Sequence, residues 1–259
     1  MKLIDSHCHL HDTEFFSEGR EEGYARAIEA GVAMFCVGTD ERSSREAVDF
    51  AESHDDTWAI VGVHPHEAKG GWADIERLLR ENCGARVARG GASIIGIGEI
   101  GLDYFYTHSS RERQIRALEA QLQLATDYGL PVSFHVREAF DDFWPVFENF
   151  HGVRGVLHSF TDTQTNLDRG FSYGLYVGVN GISTFTRDAA QRNLYATIPL
   201  ERMLVETDAP YLTPVPLRGK MNEPGYVRLV VDFWAQKRGI SFDELAHATT
   251  QNARRLFGV

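Results

Sequence analysis

Cysteine is scarce in this chain, and its placement excludes two kinds of stabilised domain. The three cysteines, Cys8, Cys36 and Cys83, are odd in number, far apart and without C-x-x-C spacing. A disulfide framework or a zinc ribbon requires cysteines that can pair at defined spacings. The sequence therefore predicts reduced thiols, a cytoplasmic location and a fold that needs no covalent cross-link.

Long apolar runs are also missing. No stretch approaches the roughly 20 consecutive apolar residues that a membrane-spanning helix requires. The opening residues, Met1–Asp5, lead directly into a strand-like pattern instead of an apolar signal core. The sequence therefore predicts a protein that neither spans a membrane nor carries a secretory signal.

Positive charge is in deficit. The chain has 26 lysines and arginines against 37 aspartates and glutamates, which gives a formal net charge of -11. This balance excludes a protein that coats nucleic acid through a basic face, because such binding depends on neutralising many phosphates. It does not exclude a phosphodiester substrate, since bound metal ions can reverse the sign of the field inside a site.

What is present is a repeated alternation of short apolar runs and helix-like segments. Such alternation predicts a parallel sheet, and eight units in 259 residues predict a single-domain (β/α)₈ TIM barrel over residues 1–259. An open, doubly wound sheet is the structural alternative. The eight predicted strands are Lys2–His7, Ala33–Gly38, Trp58–Val63, Ile94–Glu99, Pro131–Val136, Gly155–His158, Leu175–Val179 and Met203–Thr207.

Several helix boundaries can also be predicted. Capping-box patterns at Ser43–Glu46, Ser109–Glu112 and Ser241–Glu244 indicate three helix starts. Gly129 is typical of the residue that ends a helix. The Pro/Gly-rich segment Thr213–Asn222 follows the last predicted strand, so we expect it at the mouth of the barrel.

The first strand ends in His7-Cys8-His9. Residues i and i+2 of a strand point to the same side, so both imidazoles can bind one ion while Cys8 points away. Asp5 shares the histidine face and could orient a ligand or bind an ion itself. The alternative is that the two histidines are unrelated polar residues at a strand end.

Further residues of ligand type end other predicted strands. Glu99, His135, His158 and Asp208 end the fourth, fifth, sixth and eighth strands, and Glu206 shares the face of Asp208. Each alone has a structural alternative, such as a rim salt bridge or a helix cap. Strand ends that meet at one face of a barrel favour a single site. Four histidines and two carboxylates suffice for two ions, with Glu99 able to bridge them.

Two more polar residues follow strands at the same predicted face. His64 ends the third strand and could bind substrate or donate to an oxygen that gains charge; a hydrogen bond within its proline turn is the alternative. Arg137 has the fork of donors that suits a phosphate, although a rim salt bridge with Glu138 would also explain it. Asp103 and Tyr106 belong to the same mouth, with simple loop packing as the alternative.

Seven segments together resemble the TatD-like DNase family of metal-dependent hydrolases. They occur in the family's order and extend over essentially the whole chain, and the longest is the most specific. They are Ile4–Leu10, Gly62–His66, Gly98–Tyr104, Phe134–Phe140, Leu157–Thr161, Leu204–Pro224 and Thr249–Val259.

The resemblance implies a (β/α)₈ fold and metal-dependent phosphodiester hydrolysis with DNA as substrate. A barrel mouth favours single-stranded DNA or strand ends. His64 and Glu206 are implied as further site residues. The implied metal ligands are His7, His9, Glu99, His135, His158 and Asp208.

The leading mechanistic hypothesis is two-metal hydrolysis. His7, His9 and Asp208 hold one ion, His135 and His158 hold the other, and Glu99 bridges them. A water activated in this way loses a proton near neutral pH, with Asp208 as general base. Mixed histidine and carboxylate ligands suit Zn²⁺ or Mn²⁺, while the family behaviour keeps Mg²⁺ as an option.

Two other functions use the same residues. An amidohydrolase would cleave a C–N or ester bond, and many such enzymes bridge their metals with a carboxylated lysine on the fourth strand. Glu99 takes that position here, and no lysine ends a predicted strand. A non-catalytic scaffold with a relict metal site is the second alternative, although the complete ligand set argues against it.

Overall fold

The structure is a computed structural model and describes residues 2–82 and 93–259. Two compact units are present: residues up to Phe35 together with Ser159–Gly258 form the first, and Cys36–His158 with Val259 form the second. Cys8 and Cys36 are buried free thiols, whereas Cys83 lies outside the described residues. No helix within the described ranges is both long and apolar enough to cross a membrane.

Eight strands form one sheet in the order in which they occur in the chain. In the first unit β7 pairs in parallel with β8, and a parallel bridge joins Cys8 of β1 to Ala209 beyond β8. In the second unit β3, β4, β5 and β6 pair successively in parallel. The strands are β1 Leu3–Cys8, β2 Val32–Val37, β3 Thr57–Val61, β4 Ile94–Asp103, β5 Val132–Arg137, β6 Gly155–Leu157, β7 Tyr176–Val179 and β8 Met203–Val205. This order is that of a (β/α)₈ barrel and not of a doubly wound sheet.

Helices alternate with these strands. Short 3₁₀ segments cover Pro65–Gly70, Leu200–Arg202 and Pro224–Tyr226. The α-helices within the described residues are α1 Arg20–Glu29, α2 Glu41–Ser53, α3 Ala73–Asn82, α4 Arg111–Tyr128, α5 Phe140–Phe147, α6 Gln164–Ser172, α7 Ile182–Phe185, α8 Ala189–Thr197, α9 Val227–Arg238 and α10 Phe242–Phe257.

One of the three predicted helix starts is confirmed and two are wrong by a few residues. Ser241 caps α10 by accepting from the backbone N–H of Glu244. The cap of α2 is Asp40, whose carboxylate accepts from Ser43 N. Ser110 caps α4, because the Ser109 hydroxyl is already engaged by the loop after β3, where it donates to His66 O at 2.7 Å.

The predicted fourth strand ends too early. It continues four residues beyond Glu99 to Asp103, because the β4–β5 register shifts between Ile97 and Ile100 and pairing then resumes. Glu99 therefore lies within the strand and not at its end. The prediction that α4 ends at Gly129 is confirmed, since this residue has the left-handed conformation of a helix C-cap.

Each unit has its own buried packing. In the second unit, Phe134 of β5 packs edge-on against Phe143 and Phe147 of α5. In the first unit, Asn252 of α10 donates to the carbonyls of Leu200 and Met203 at 2.8 and 2.9 Å. The Asn252 contacts fix the start of β8, and with it the segment that carries Asp208.

Candidate metal centre

The first group of potential ligands consists of His7, His9 and Asp208, which we call ligand set 1. Strand geometry directs the two imidazoles to one side, where their ring centroids are 5.1 Å apart. Asp208 Oδ1 lies 3.4 Å from His9 Nε2 and 3.9 Å from His7 Nε2. One donor atom from each residue lies within 4.8 Å of the others. The structure thus brings these three predicted ligands together.

Backbone contacts between β1 and the segment after β8 align ligand set 1. Asp208 N donates to His7 O at 2.9 Å, and His9 N donates to Ala209 O at 2.8 Å. Asp208 has φ 58, a left-handed conformation that is uncommon for any residue but glycine. Such conformations persist where the surroundings over-determine them, often at functional sites.

Asp5 has a supporting position beneath ligand set 1. Its Oδ1 accepts from Thr207 N at 2.8 Å and from His7 N at 3.3 Å. Burial raises the pKa of the Asp5 carboxyl well above its usual value, although the hydrogen bonds from Thr207 oppose that shift. Asp5 therefore ties the backbone of β1 to the segment after β8.

The second group consists of His64, Glu99 and His135, which we call ligand set 2. Their donor atoms also lie within 4.8 Å of one another. His135 Nδ1 is 2.8 Å from Glu99 Oε1, and His64 Nε2 is 3.7 Å from the same oxygen. His158, the predicted partner of His135, lies 3.6 Å from this oxygen through Nε2. Glu99 is therefore surrounded by three histidines from its own unit.

Asp103 orients His135 from the opposite side. Its Oδ2 lies 2.9 Å from His135 Nε2 and 3.1 Å from His66 Nε2. Burial would raise the pKa of Asp103, but the two histidine contacts outweigh it and hold that pKa well below its usual value. Burial likewise lowers the pKa of His135, but its bonds to Asp103 and Glu99 outweigh this and raise the pKa to about 9. A carboxylate behind a ligating histidine is the common means of fixing the ring and its tautomer.

His64 is held as a neutral donor. Burial lowers the pKa of its imidazole well below the usual value, and nearby His135 adds to the shift. Its Nδ1 accepts from His66 N at 3.1 Å, so in the neutral ring the proton resides on Nε2. The hydrogen bond within the proline turn, one of the two alternatives from the sequence, is therefore present, and it leaves Nε2 as the nitrogen that could act as a donor.

Two buried glutamines of α4 hold the loops that carry this chemistry. Gln121 accepts from Val63 N at 2.7 Å and donates to Val63 O at 3.1 Å, directly before His64. Gln114 does the same for Asp103, at 2.8 and 3.0 Å. The sequence prediction missed both residues. A polar residue on the buried face of an amphipathic helix was the one available signal.

The two further predicted residues, Glu206 and Arg137, occupy different settings. Glu206 is fully buried, and its Oε1 accepts from Ser159 N at 2.7 Å. Arg137 is exposed at the end of β5, with its guanidinium carbon 3.7 Å from the centroid of Phe105. Glu206 thus fixes backbone, while Arg137 remains open to solvent among aromatic rings.

The donors of both sets fit divalent cations. Imidazole nitrogens and carboxylate oxygens that converge within 4.8 Å are the usual ligands of zinc-like ions. Both sets lie at or just beyond strands of a (β/α)₈ fold, where such enzymes place their chemistry. The fold and the site define a metal-dependent hydrolase.

Comparisons with known proteins identify the family. The family model described as TatD related DNase matches residues 4–258, so the chain belongs to this family. A protein from Pantoea ananatis named 3'-5' ssDNA/RNA exonuclease TatD is 37% identical over 99% of this chain and 100% of that protein. The metal-dependent hydrolase YcfH of Escherichia coli K12 is 34% identical over 100% of this chain and 97% of its own.

A solved structure supports the same assignment of fold. The TatD homologue YJJV from Escherichia coli K12 superposes with a TM-score of 0.87 at 30% identity, over 99% of this chain and 98% of its own. The predicted (β/α)₈ barrel and the resemblance to the TatD-like DNase family are both confirmed. The protein is a metal-dependent hydrolase of that family.

Proposed function

We propose that the protein is a nuclease that removes nucleotides from the ends of single-stranded DNA in the 3'–5' direction. The observation that carries this proposal is the convergence of two sets of metal-ligand donors in a chain of the TatD related DNase family. The exonuclease name of the Pantoea relative supports the direction and the strandedness. The same proposal keeps residues 1–259 as one catalytic domain in the cytoplasm.

The two ligand sets serve one centre in this proposal. Set 1 comes from the ends of β1 and β8 and set 2 from β3, β4 and β5, and the (β/α)₈ fold gathers such ends at one face. His7, His9 and Asp208 would hold one ion, His135 and His158 would hold the other, and Glu99 would contribute its carboxylate to both, while His64 of ligand set 2 would remain a hydrogen-bond donor. Divalent ions such as Mn²⁺, Zn²⁺ or Mg²⁺ would supply Lewis-acid chemistry, which acidifies water and neutralises phosphate charge.

The chain's own side chains move the protons. Water adds to the phosphorus, and the Asp208 carboxylate, whose side chain is 15% exposed, takes the proton that the water loses. The bond from phosphorus to the leaving oxygen breaks, and that oxygen takes the proton that Asp208 accepted, which restores the carboxylate. His64 donates its Nε2 proton in a hydrogen bond to a phosphate oxygen that gains charge, while Arg137 holds a phosphate with its exposed guanidinium.

The test is cleavage of single-stranded DNA labelled at either end. Purified protein is assayed in Mg²⁺, Mn²⁺ or Zn²⁺ and with chelator, beside Glu99→Ala and the surface control Glu119→Ala. We expect stepwise loss of the 3' label and no activity with chelator. The cleavage rate should fall by more than about 100-fold for Glu99→Ala and stay unchanged for Glu119→Ala. Loss of a residue that only supports a ligand typically costs about 10- to 100-fold in activity, and loss of the ligand itself should cost at least as much.

Other outcomes select the alternatives. Equal cleavage by wild type and Glu99→Ala would assign the activity to a contaminant and overturn the proposal. Turnover of amides or lactones without turnover of DNA would make the protein an amidohydrolase. Metal binding without turnover of any ester would indicate the non-catalytic scaffold. The lysines do not favour the amidohydrolase, because Lys69 lies in the 3₁₀ segment after β3 and Lys237 in α9.

A further inference from the structure

Exposed aromatic side chains concentrate around the two ligand sets. Among the described residues, five large aromatic side chains are 37% to 47% exposed: Phe15, Phe105, Tyr106, Tyr173 and Tyr211. Four of them, Phe15, Phe105, Tyr106 and Tyr211, contact a residue of the candidate centre or its loops. Exposed aromatic groups that cluster in one place indicate a binding surface, whereas scattered ones need no explanation.

The first aromatic pair, Phe105 and Tyr106, follows β4. Their ring centroids are 4.6 Å apart, and Tyr106 lies edge-on to His66 at 5.3 Å. The guanidinium carbon of Arg137 lies 3.7 Å from the Phe105 centroid and 5.4 Å from that of Tyr106. This pair therefore combines open aromatic surface with one solvent-exposed cation.

Asp103 ties the first pair to the metal-ligand geometry. Its Oδ1 accepts from the backbone N–H groups of Phe105 and Tyr106 at 3.0 and 3.2 Å. Its Oδ2 contacts His135 Nε2 at 2.9 Å. The Asp103 carboxylate thus holds both the backbone of the aromatic pair and the ring of His135. The distance between the pair and His135 is therefore set by direct hydrogen bonds to one side chain.

The second aromatic pair, Phe15 and Tyr211, lies beside ligand set 1. The two rings meet edge-on at 5.5 Å, and Phe15 lies 6.1 Å from the His9 ring. Tyr211 N donates to Asp208 O at 2.8 Å, which holds this pair in register with the ligand. Ligand set 1 therefore has an exposed aromatic pair at contact distance, and ligand set 2 has a pair that Asp103 ties to His135.

We propose that each of these two pairs stacks against unpaired nucleobases of a single strand beside its own ligand set, an inference that rests on the proposed nuclease function. Single-stranded nucleic acid is commonly bound by aromatic stacking along a charged path. With a net charge of -11, the chain offers little general attraction for phosphate, so stacking with the local cation Arg137 supplies the affinity. Because every base has an aromatic face, binding of this kind tolerates any sequence and excludes the paired interior of a duplex.

The test compares two oligonucleotides of equal length: one intact, and one with abasic sites at the three 3'-terminal positions. Steady-state kinetics are measured for Phe105→Ala/Tyr106→Ala and for Phe15→Ala/Tyr211→Ala. The matched control is Tyr173→Ala, an equally exposed aromatic that follows α6 and precedes β7 instead of following a strand. Thermal unfolding verifies that each variant is folded, and Phe105→Trp tests rescue by another aromatic ring.

We expect each double variant to raise KM for the intact strand by roughly 5- to 150-fold per lost stacking contact, and to change KM for the abasic strand little. Tyr173→Ala should match wild type, and Phe105→Trp should retain tight binding. Folded double variants with wild-type KM, or with equal losses on both strands, would overturn the stacking proposal while the nuclease activity stands. Absence of wild-type cleavage would instead defeat the nuclease proposal, so the two failures are distinguishable.

Discussion

The ionisation of His135 is coupled to two neighbouring carboxylates. Its imidazole lies between Glu99 and Asp103, and their bonds raise its pKa to about 9. The ring is therefore protonated at neutral pH when no metal is bound. A cation at Nδ1 requires loss of that proton, so metal binding by His135 should release a proton and tighten as the pH rises.

This arrangement predicts how the stability of the metal-free protein depends on pH. A histidine pKa raised above its unfolded value of about 6.5 gives stability that is complete below that pH. The stability is lost as the pH rises through about 9. Urea unfolding in chelator from pH 6 to 9.5 should show a falling free energy of unfolding. Asp103→Asn, which removes one charged partner, should flatten that fall; an unchanged slope would contradict the assignment.

The sequence can predict some of these residues but not their pairing. The direction of His7 and His9 is local, because strand alternation alone puts both on one side. The contact between Asp103 and His135 joins residues 32 positions apart. It depends on a strand register that shifts within β4, and no local pattern encodes that shift. Asp103 therefore has a larger role than the loop packing that was its alternative reading.

At the scale of elements, β4 is the strand that depends most on close packing. Gly101 has φ 150 and pairs in register with His135 of β5. A Cβ at Gly101 would overlap the carbonyl oxygen of His135. Only glycine satisfies both the backbone conformation and the close approach. The strand can thus present Glu99 and Asp103 to the same neighbour.

Gly101→Ala should therefore be strongly destabilising. We expect the free energy of unfolding to fall by about 3 kcal/mol or more, because the backbone conformation and the available space are both incompatible with a side chain. Gly129→Ala is the matched control: it also has positive φ, but nothing lies within 4 Å of its added carbon. Its expected loss is about 1 kcal/mol. Urea unfolding in chelator measures both, and similar losses would show that crowding by His135 contributes nothing.

The elements show the same division between predictable and unpredictable features. The eight apolar runs predicted the strands because burial on both faces makes each run nearly continuous. Helix starts were less certain, because a serine can cap a helix or bind a neighbouring loop. Ser109 binds a neighbouring loop through contacts with His66 and Lys69, which lie 43 and 40 residues earlier in the chain.

At the scale of the whole molecule, metal binding should stabilise the fold. Ligand set 1 joins strands from opposite ends of the sheet order, so a bound ion links distant parts of the chain. A ligand that binds only the folded state at 100 times its Kd adds about 2.7 kcal/mol. Thermal unfolding with Mn²⁺ and with chelator measures this difference.

The matched variants for that measurement are His9→Ala and His247→Ala. His9 belongs to ligand set 1, whereas His247 is an exposed residue of α10. We expect His9→Ala to lose most of the stabilisation by Mn²⁺ and His247→Ala to retain it. Equal stabilisation of both variants would place the ion elsewhere.

The bridge between Cys8 and Ala209 has a consequence for when the first ligand set can form during synthesis. The pairings β3–β4, β4–β5, β5–β6 and β7–β8 join consecutive strands, but the contact of Cys8 requires a residue that follows β8. Asp208 is made about 200 residues after His7, from the length of chain that separates them. A growing chain on the ribosome, surrounded by messenger and ribosomal RNA, therefore carries no complete first ligand set until its last strand has emerged.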